Sequence, residues 1–138
     1  MVNTLNMQDI RYLNLFSRIT RIDTRHFFKY NEHLVFGVPR GQLSRAIGEK
    51  GSNVRQISQI LRKRVKIVAL PNGIEDAKKF IEAIINPVTF RELNITDKEI
   101  VINAGSHSKA ALIGRNKRRL LELAQVVENY FGKELRIV

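Results

Sequence analysis

Shifted along itself by 66 residues, the chain overlays its own apolar pattern through a strand, a loop and a helix. Gly48 falls on Gly114 and Ile47 on Ile113. Val35 and Phe36 fall on Val101 and Ile102, and Val54, Ile57 and Leu61 fall on Leu120, Leu123 and Val127. Few residues are identical, but agreement across three successive elements is the mark of a duplicated supersecondary unit. A chain of 138 residues therefore reads as two small units, 1–70 and 71–138. A unit of about 60 residues buries only about 60% of its unfolded surface, so the two are expected to pack against each other.

Each half carries the same order of elements. In the first, apolar residues at Ile10, Leu13, Phe16 and Ile19 predict a helix from about Asp9 to Ile19. Strands follow near Arg25 to Tyr30 and Leu34 to Val38, with "NEH" as the turn. A short helix reaches Ile47. A second helix from about Ser52 shows Val54, Ile57, Ile60 and Leu61 on one stripe, and "RVKIVAL" is a β-branched strand. In the second half, Asn72-Gly73 marks the link. A helix with Glu75 and Asp76 in its first turn runs to Ile85, where Pro87 ends it. Strands near Thr89 to Asn94 and Glu99 to Asn103 follow, then a short helix to Ile113, a longer one to about Tyr130, and the strand "ELRIV". The order is α-β-β-α-α-β, twice, in an α+β chain.

The two halves share a break in the middle of their helical stretch. In "RAIGEKGSNVRQI" two glycines stand three apart, where each would cost a helix about 1 kcal/mol. Glycine allows a sharp turn and close approach of another backbone. Ser52 is read as the N-cap of the following helix, whose start offers free N–H groups to an anion. Lys50 adds charge there, Arg45 and Arg55 lie about one helical turn to either side, and the side chain of Glu49 is expected to point outward. Gly48-Glu49-Lys50-Gly51 is suited to hold a phosphodiester backbone; taken alone, the same four residues also describe a plain turn.

Charge favours the first of these readings. The chain has 24 Lys and Arg against 13 Asp and Glu, a net +11, which attracts polyanions. The excess is uneven: residues 1–70 hold 13 basic and 4 acidic residues, and 71–138 hold 11 and 9. With no cysteine, thiolate metal sites, disulfides and cysteine nucleophiles are excluded. No apolar run approaches the ~20 residues of a membrane-spanning helix. No signal-peptide pattern is present, and a cytoplasmic location is expected. The three histidines, His26, His33 and His107, are scattered, and no H-x-x-x-H pair or phosphate-loop spacing is present. No catalytic residue, metal site or cofactor is expected, and a phosphate-handling enzyme is the alternative of another class.

A G-x-x-G loop between two helices, inside a basic α-β-β-α-α-β unit, resembles the K-homology (KH) domain. The element order is similar to its type II form, with helices packed on one face of a three-stranded mixed sheet. Two such units in tandem resemble the NusA transcription factors, and "HLVFGVPRGQLSRAIGEKGSNVRQI" is similar to the first KH domain of that family. The chain has no room for the other domains of the large NusA proteins and looks like the short archaeal form, the KH pair alone. The resemblance implies a loop that clamps about four nucleotides of a single strand through their backbone. It also implies single-stranded RNA bound over a surface shared by both units, and a role in transcription elongation or termination with RNA polymerase as partner. A ribosome-associated or RNA-processing KH protein is the alternative. A monomer is favoured. In the first unit the implied RNA-binding residues are Arg45, Ala46, Ile47, Gly48, Glu49, Lys50, Gly51, Ser52, Val54 and Arg55, with Ile57 a further candidate for an aliphatic base groove.

The second unit departs from the family's loop. It reads Ile113-Gly114-Arg115-Asn116-Lys117-Arg118-Arg119, with lysine where the second glycine belongs. Lys117 is expected to hold the RNA backbone off, while four cations at a helix start, an unfavourable place for them, point to a polyanion or to a solvated basic turn. Lys117→Gly is expected to place glycine at a helix start, at some cost to stability. The ten Phe and Tyr residues are expected in the cores and not as base-stacking platforms.

Overall fold

The structure, a computed structural model, describes residues 5–138. The chain forms two compact units, the first ending at Pro71 and the second running Asn72–Val138. Residues 1–4 of the first half lie outside the described residues.

In the first unit, α1 (Met7–Thr20) opens two residues earlier than its apolar pattern suggests, because Asn6 and Asp9 form a capping box. The Asn6 side chain accepts from the Asp9 N–H at 2.8 Å, and Asp9 accepts from the Asn6 N–H at 3.2 Å. The buried face is also different: Tyr12, Leu13, Phe16 and Thr20 are buried, whereas Ile10 is 44% exposed. Four residues spaced by three drift around a helix of 3.6 residues per turn by about 180°, so Ile10, at one end of the set, falls outside the face on which Leu13, Phe16 and the partly buried Ile19 meet the core. Tyr12, Leu13, Phe16 and Thr20 stay within about 100° of one another.

Strands β1 (Phe27–Tyr30) and β2 (His33–Val38) pair antiparallel across a two-residue turn, Asn31-Glu32. Both turn residues have positive φ, 50° and 64°, which matches the twist of a tight hairpin. His33, expected in the turn, is the first residue of β2. Helices α2 (Leu43–Ile47) and α3 (Ser52–Leu61) then carry the chain across, and β3 (Arg64–Ala69) lies parallel to β2. A parallel partner requires such a crossover. The sheet order is β1-β2-β3. Phe16 stacks on Phe36 with ring centroids 4.6 Å apart, and Phe27 packs against Phe36 and Tyr12 at 5.2 and 5.7 Å. Ala46 and Ile57, both fully buried, join this core from α2 and α3.

The second unit repeats the plan. α4 (Ala77–Ile85) buries Phe80, Ile81, Ile84 and Ile85. The next strand, β4 (Glu92–Ile95), starts later than expected. Segment 86–91 turns back first, through a bond from the Val88 N–H to the Ile85 carbonyl, and the ladder starts only where Arg91 donates to Asn103. The β-branched Thr89 resembles a strand residue, but it follows directly on that turn and precedes the first bond of the ladder. β5 (Glu99–Asn103) pairs antiparallel with β4. After α5 (Ser106–Ile113) and α6 (Arg118–Phe131), β6 (Glu134–Ile137) runs parallel to β5. Phe80 meets Tyr130 and Phe131 edge-on at 5.0 and 6.0 Å. Among the described residues the chain is α+β, with six α-helices and two three-stranded mixed sheets. No described helix is long and apolar enough to cross a membrane.

Candidate nucleic-acid interface

The first loop is built from one conformation reserved for glycine and two in the left-handed region. Gly48 has φ 83° and ψ 164°, an area of the map essentially closed to residues with a Cβ. A Cβ there would stand 2.6 Å from Ser52 Oγ and 2.9 Å from the Asn53 nitrogen. Lys50 (φ 54°, ψ 29°) and Gly51 (φ 75°, ψ 20°) are left-handed. Gly51, not Ser52, caps α3: Ser52 is already helical (φ −58°), and no side chain caps the helix. The Ser52 N–H is taken by the Glu49 carbonyl, and with no side-chain cap the start of α3 offers an anion the positive end of the helix dipole.

What holds the loop is Asn53, one residue inside α3. Its amide donates to the carbonyls of Arg45 and Ala46, each at 3.2 Å, so two carbonyls at the end of α2 are satisfied by the start of the next helix. Arg55 donates to the Lys50 carbonyl and closes the loop from the other side. Its guanidinium is thereby anchored beside the loop.

The second loop has the same backbone. Gly114 sits at φ 74°, ψ 174°, Asn116 at 55°, 28° and Lys117 at 61°, 20°. Lys117 thus adopts the left-handed conformation that Gly51 holds in the first unit. The role of Asn53 passes to Arg119, which donates to the Ala111 carbonyl at 3.0 Å. A Cβ on Gly114 would meet Arg119 Cγ at 2.8 Å.

The sequence-derived residues separate into three groups. Arg45, Glu49, Lys50, Ser52, Arg55, Arg115, Asn116, Lys117 and Arg118 are exposed at or beside the loops, with Arg118 3.9 Å from Glu122. Ile47, Gly48, Gly51, Val54, Ile113, Gly114 and Arg119 are half-buried. Ala46 and Ile57 are fully buried and offer no surface to a ligand. Arg119 is a brace within the unit, because its guanidinium is turned to Ala111.

Next to the first loop lies a hollow of about 380 Å³, lined by Val54, Arg55, Ser58 and Gln59 of α3 with His33, Arg64 and Val65 from the strand ends. Of these only Val54 and Arg55 were singled out from the sequence. Ser58 and Gln59 were legible as the residues one turn beyond Val54 and Arg55, and Arg64 as part of the run Arg62-Lys63-Arg64. In the second unit the paired positions corresponding to His33 and Arg64 are Glu99 and Glu134. Glu99 is held by Arg136 through bonds of 3.0 and 3.4 Å, and that hydrogen bond and charge raise the Arg136 pKa. A larger cavity of about 1020 Å³, bounded by Leu13, Ser17, Asp23, Arg25, His26 and Leu70, shares no residue with the loop. No group of three or more His, Asp or Glu among the described residues is placed to hold a metal ion.

No family model matches the chain. It is similar to a protein of Methanococcus vannielii named "Probable transcription termination protein NusA", 24% identical over 139 residues that span 97% of this chain and 79% of the relative. A protein of Halococcus morrhuae with the same name is 24% identical over 131 residues, 93% of this chain and 92% of the relative. The crystal structure of APE1850 superposes with a TM-score of 0.67 at 23% identity, covering 97% of this chain and all of that one. The chain shares its fold with that protein and, over nearly its whole length, a distant likeness to archaeal proteins named for transcription termination.

Proposed function

We propose that each unit is a type II KH domain and that the protein is a non-enzymatic, single-stranded RNA-binding factor of NusA type, acting in the cytoplasm on transcription elongation or termination. The observation that carries this reading is the loop 48–51. It sets an exposed Lys50 and the start of α3, which no side chain caps, beside a hollow edged by Arg55 and Arg64, within an α-β-β-α-α-β unit. A backbone phosphate fits the positive end of the helix and the ammonium, and an unstacked base fits the hollow. The names of the archaeal relatives support the transcription role and RNA polymerase as partner.

The test of RNA binding is the pair Glu49→Asp with Lys50→Asp. Aspartate tolerates the left-handed conformation, so the circular dichroism should be unchanged while affinity for a single-stranded oligonucleotide falls by roughly tenfold or more. Unaltered affinity in the folded variant counts against the loop. Neutralising about four to six phosphates should give a slope of log K against log salt of roughly −3 to −4; a flat response or a preference for duplex refutes the mechanism. Co-purification with RNA polymerase supports the transcription role, and co-purification with ribosomal subunits replaces it.

A further inference from the structure

The larger cavity of the first unit has no part in the binding of RNA by the loop. Its α1 wall is formed by Ile10, Leu13, Asn14, Ser17 and Arg18, the i, i+3, i+4, i+7, i+8 stripe by which a helix meets a neighbour. This stripe lies beside the one that faces the core through Tyr12, Phe16 and Thr20. Leu13, between the two, is buried, whereas Ile10 is 44% exposed and Met7, a turn earlier, 75%. Pro39 and Leu70, just past the ends of β2 and β3, add aliphatic surface to the cavity. Its polar groups are unevenly engaged. Ser17 donates its hydroxyl proton to Asp23, the one carboxylate lining the cavity among the described residues. No hydrogen bond or ion pair among the described residues engages the side chains of Asn14, Arg18 or Arg25.

The second unit shows what the same helix face looks like when it meets water. Counted back from the last residues of α1 and α4, Thr20 and Ile85, the positions of Ile10, Leu13 and Asn14 are held by Glu75, Lys78 and Lys79. All three are charged and exposed. The first unit instead keeps an aliphatic floor beside two uncommitted guanidinium groups. At about 1020 Å³ the space is at the upper end of the ~300–1,000 Å³ of small-ligand clefts, room for a row of side chains. No Phe or Tyr among the described residues lines it to stack a base, and Asp23 opposes a phosphate. We propose that this groove docks an acidic amphipathic helix of a partner protein, with aliphatic residues over Ile10 and Leu13 and carboxylates against Arg18 and Arg25. Charge complementarity selects the partner: the free side-chain ions of the groove are cations, in a chain of net +11. Ile10 and Arg18 are about 12 Å apart along α1 at 1.5 Å per residue, so the partner carries its aliphatic anchor and its carboxylate about two turns apart. The groove shares no residue with loop 48–51, and the inference stands apart from the RNA-binding reading.

The experiment titrates the isotope-labelled full chain with a capped helical peptide of about four turns, with leucines on one face of its first half and glutamates on the same face of its second. A second peptide has lysine for each glutamate, and a third has the first one's composition in scrambled order. Amide signals should move at Asn14 to Arg18, at Thr24 to His26 and at Leu70. The acidic peptide should bind roughly three- to tenfold more tightly than the scrambled one, the worth of two exposed ion pairs. Arg18→Glu combined with Arg25→Glu should transfer the preference to the lysine peptide. Ile10→Ser should weaken the acidic peptide by roughly fivefold, and the circular dichroism of both variants should match wild type. The proposal is overturned if the acidic and scrambled peptides bind alike, if the shifts fall on loops 48–51 and 114–117 instead, or if the double charge reversal leaves the preference unchanged. Shifts at the groove residues on adding oligouridylate make it an RNA surface, and a wild-type dimer that Ile10→Ser turns into a monomer gives it to a second copy; either result also overturns the proposal. Failure of the loops to bind RNA leaves it standing.

Discussion

Loops 48–51 and 114–117 trace the same backbone with different residues, and the difference ranks their glycines. Gly48 and Gly114 occupy a conformation that a Cβ forbids, and both units keep glycine there. Gly51 and Lys117 occupy a left-handed conformation that costs an ordinary residue about 1–2 kcal/mol, and there the units diverge. The first glycine is required by sterics; the second is a convenience that the second unit gives up for a cation. Asn53 and Arg119 show the same freedom, since two unlike side chains tie the start of one helix to the end of the one before.

The largest expected effect separates the two kinds of glycine. Gly48→Ala and Gly114→Ala should each destabilise their unit by about 3 kcal/mol or more, from the forbidden dihedral and the displaced neighbour. Hydrogen exchange resolved by residue would assign each loss to its unit. A loss below about 1 kcal/mol at either site would show that the loop can relax and that the ranking is wrong. Next comes the tie between helices. Asn53→Ala and Arg119→Ala should each cost about 1–2 kcal/mol by denaturant titration, and Asn53→Arg should recover part of the loss if the two side chains are interchangeable.

The left-handed position gives a smaller effect of opposite sign in the two units. Lys117→Gly should stabilise the protein by about 1 kcal/mol, and Gly51→Lys should cost about as much. This reverses the expectation from sequence, in which Lys117 lay in the first helical turn and glycine was a penalty. The same Lys117→Gly change decides how the second loop would hold RNA. Weaker binding with a salt slope smaller by somewhat under one unit points to charge, and tighter binding points to close backbone approach.

The smallest effect is a contrast in pH response. Burial holds the His26 pKa of the first unit below its ordinary value. The unfolded chain therefore takes up that proton first, and this contribution is present above the ordinary imidazole range and lost as pH falls through it. Burial pushes Tyr130 of the second unit up to about 12, so its contribution is complete below about pH 10 and is lost on going to about pH 12. Acid should loosen the first unit and alkali the second, and His26→Gln and Tyr130→Phe should flatten the respective limbs of a melting-temperature profile.

The duplicated order of elements was legible because apolar phase and glycine breaks are local signals. The loop positions were legible for the same reason, down to the residue. Other features were not. Of the expected face of α1, Leu13, Phe16 and Ile19 meet the core and Ile10 does not, because a repeat of three imitates a helix while drifting around it. The cap of α3 was assigned to Ser52 because serine prefers that site, and only the dihedrals reveal that Gly51 fills it. The hollow is legible only in part, because His33 belongs to β2, well before α3 in the chain, and joins the hollow only in three dimensions.

One difference of length remains. Helix α3 has 10 residues and α6 has 14, yet each starts just after its loop and ends at a left-handed residue, Arg62 or Gly132. The four added residues lengthen α6 by about 6 Å at 1.5 Å per residue. Each helix is a spacer bar between a grip at one end and a strand at the other, and the two bars are cut to different gauges. Exchanging residues 48–51 with 114–117 would transplant a grip and leave its reach unchanged, whereas exchanging the helices would move the grip itself by one full turn.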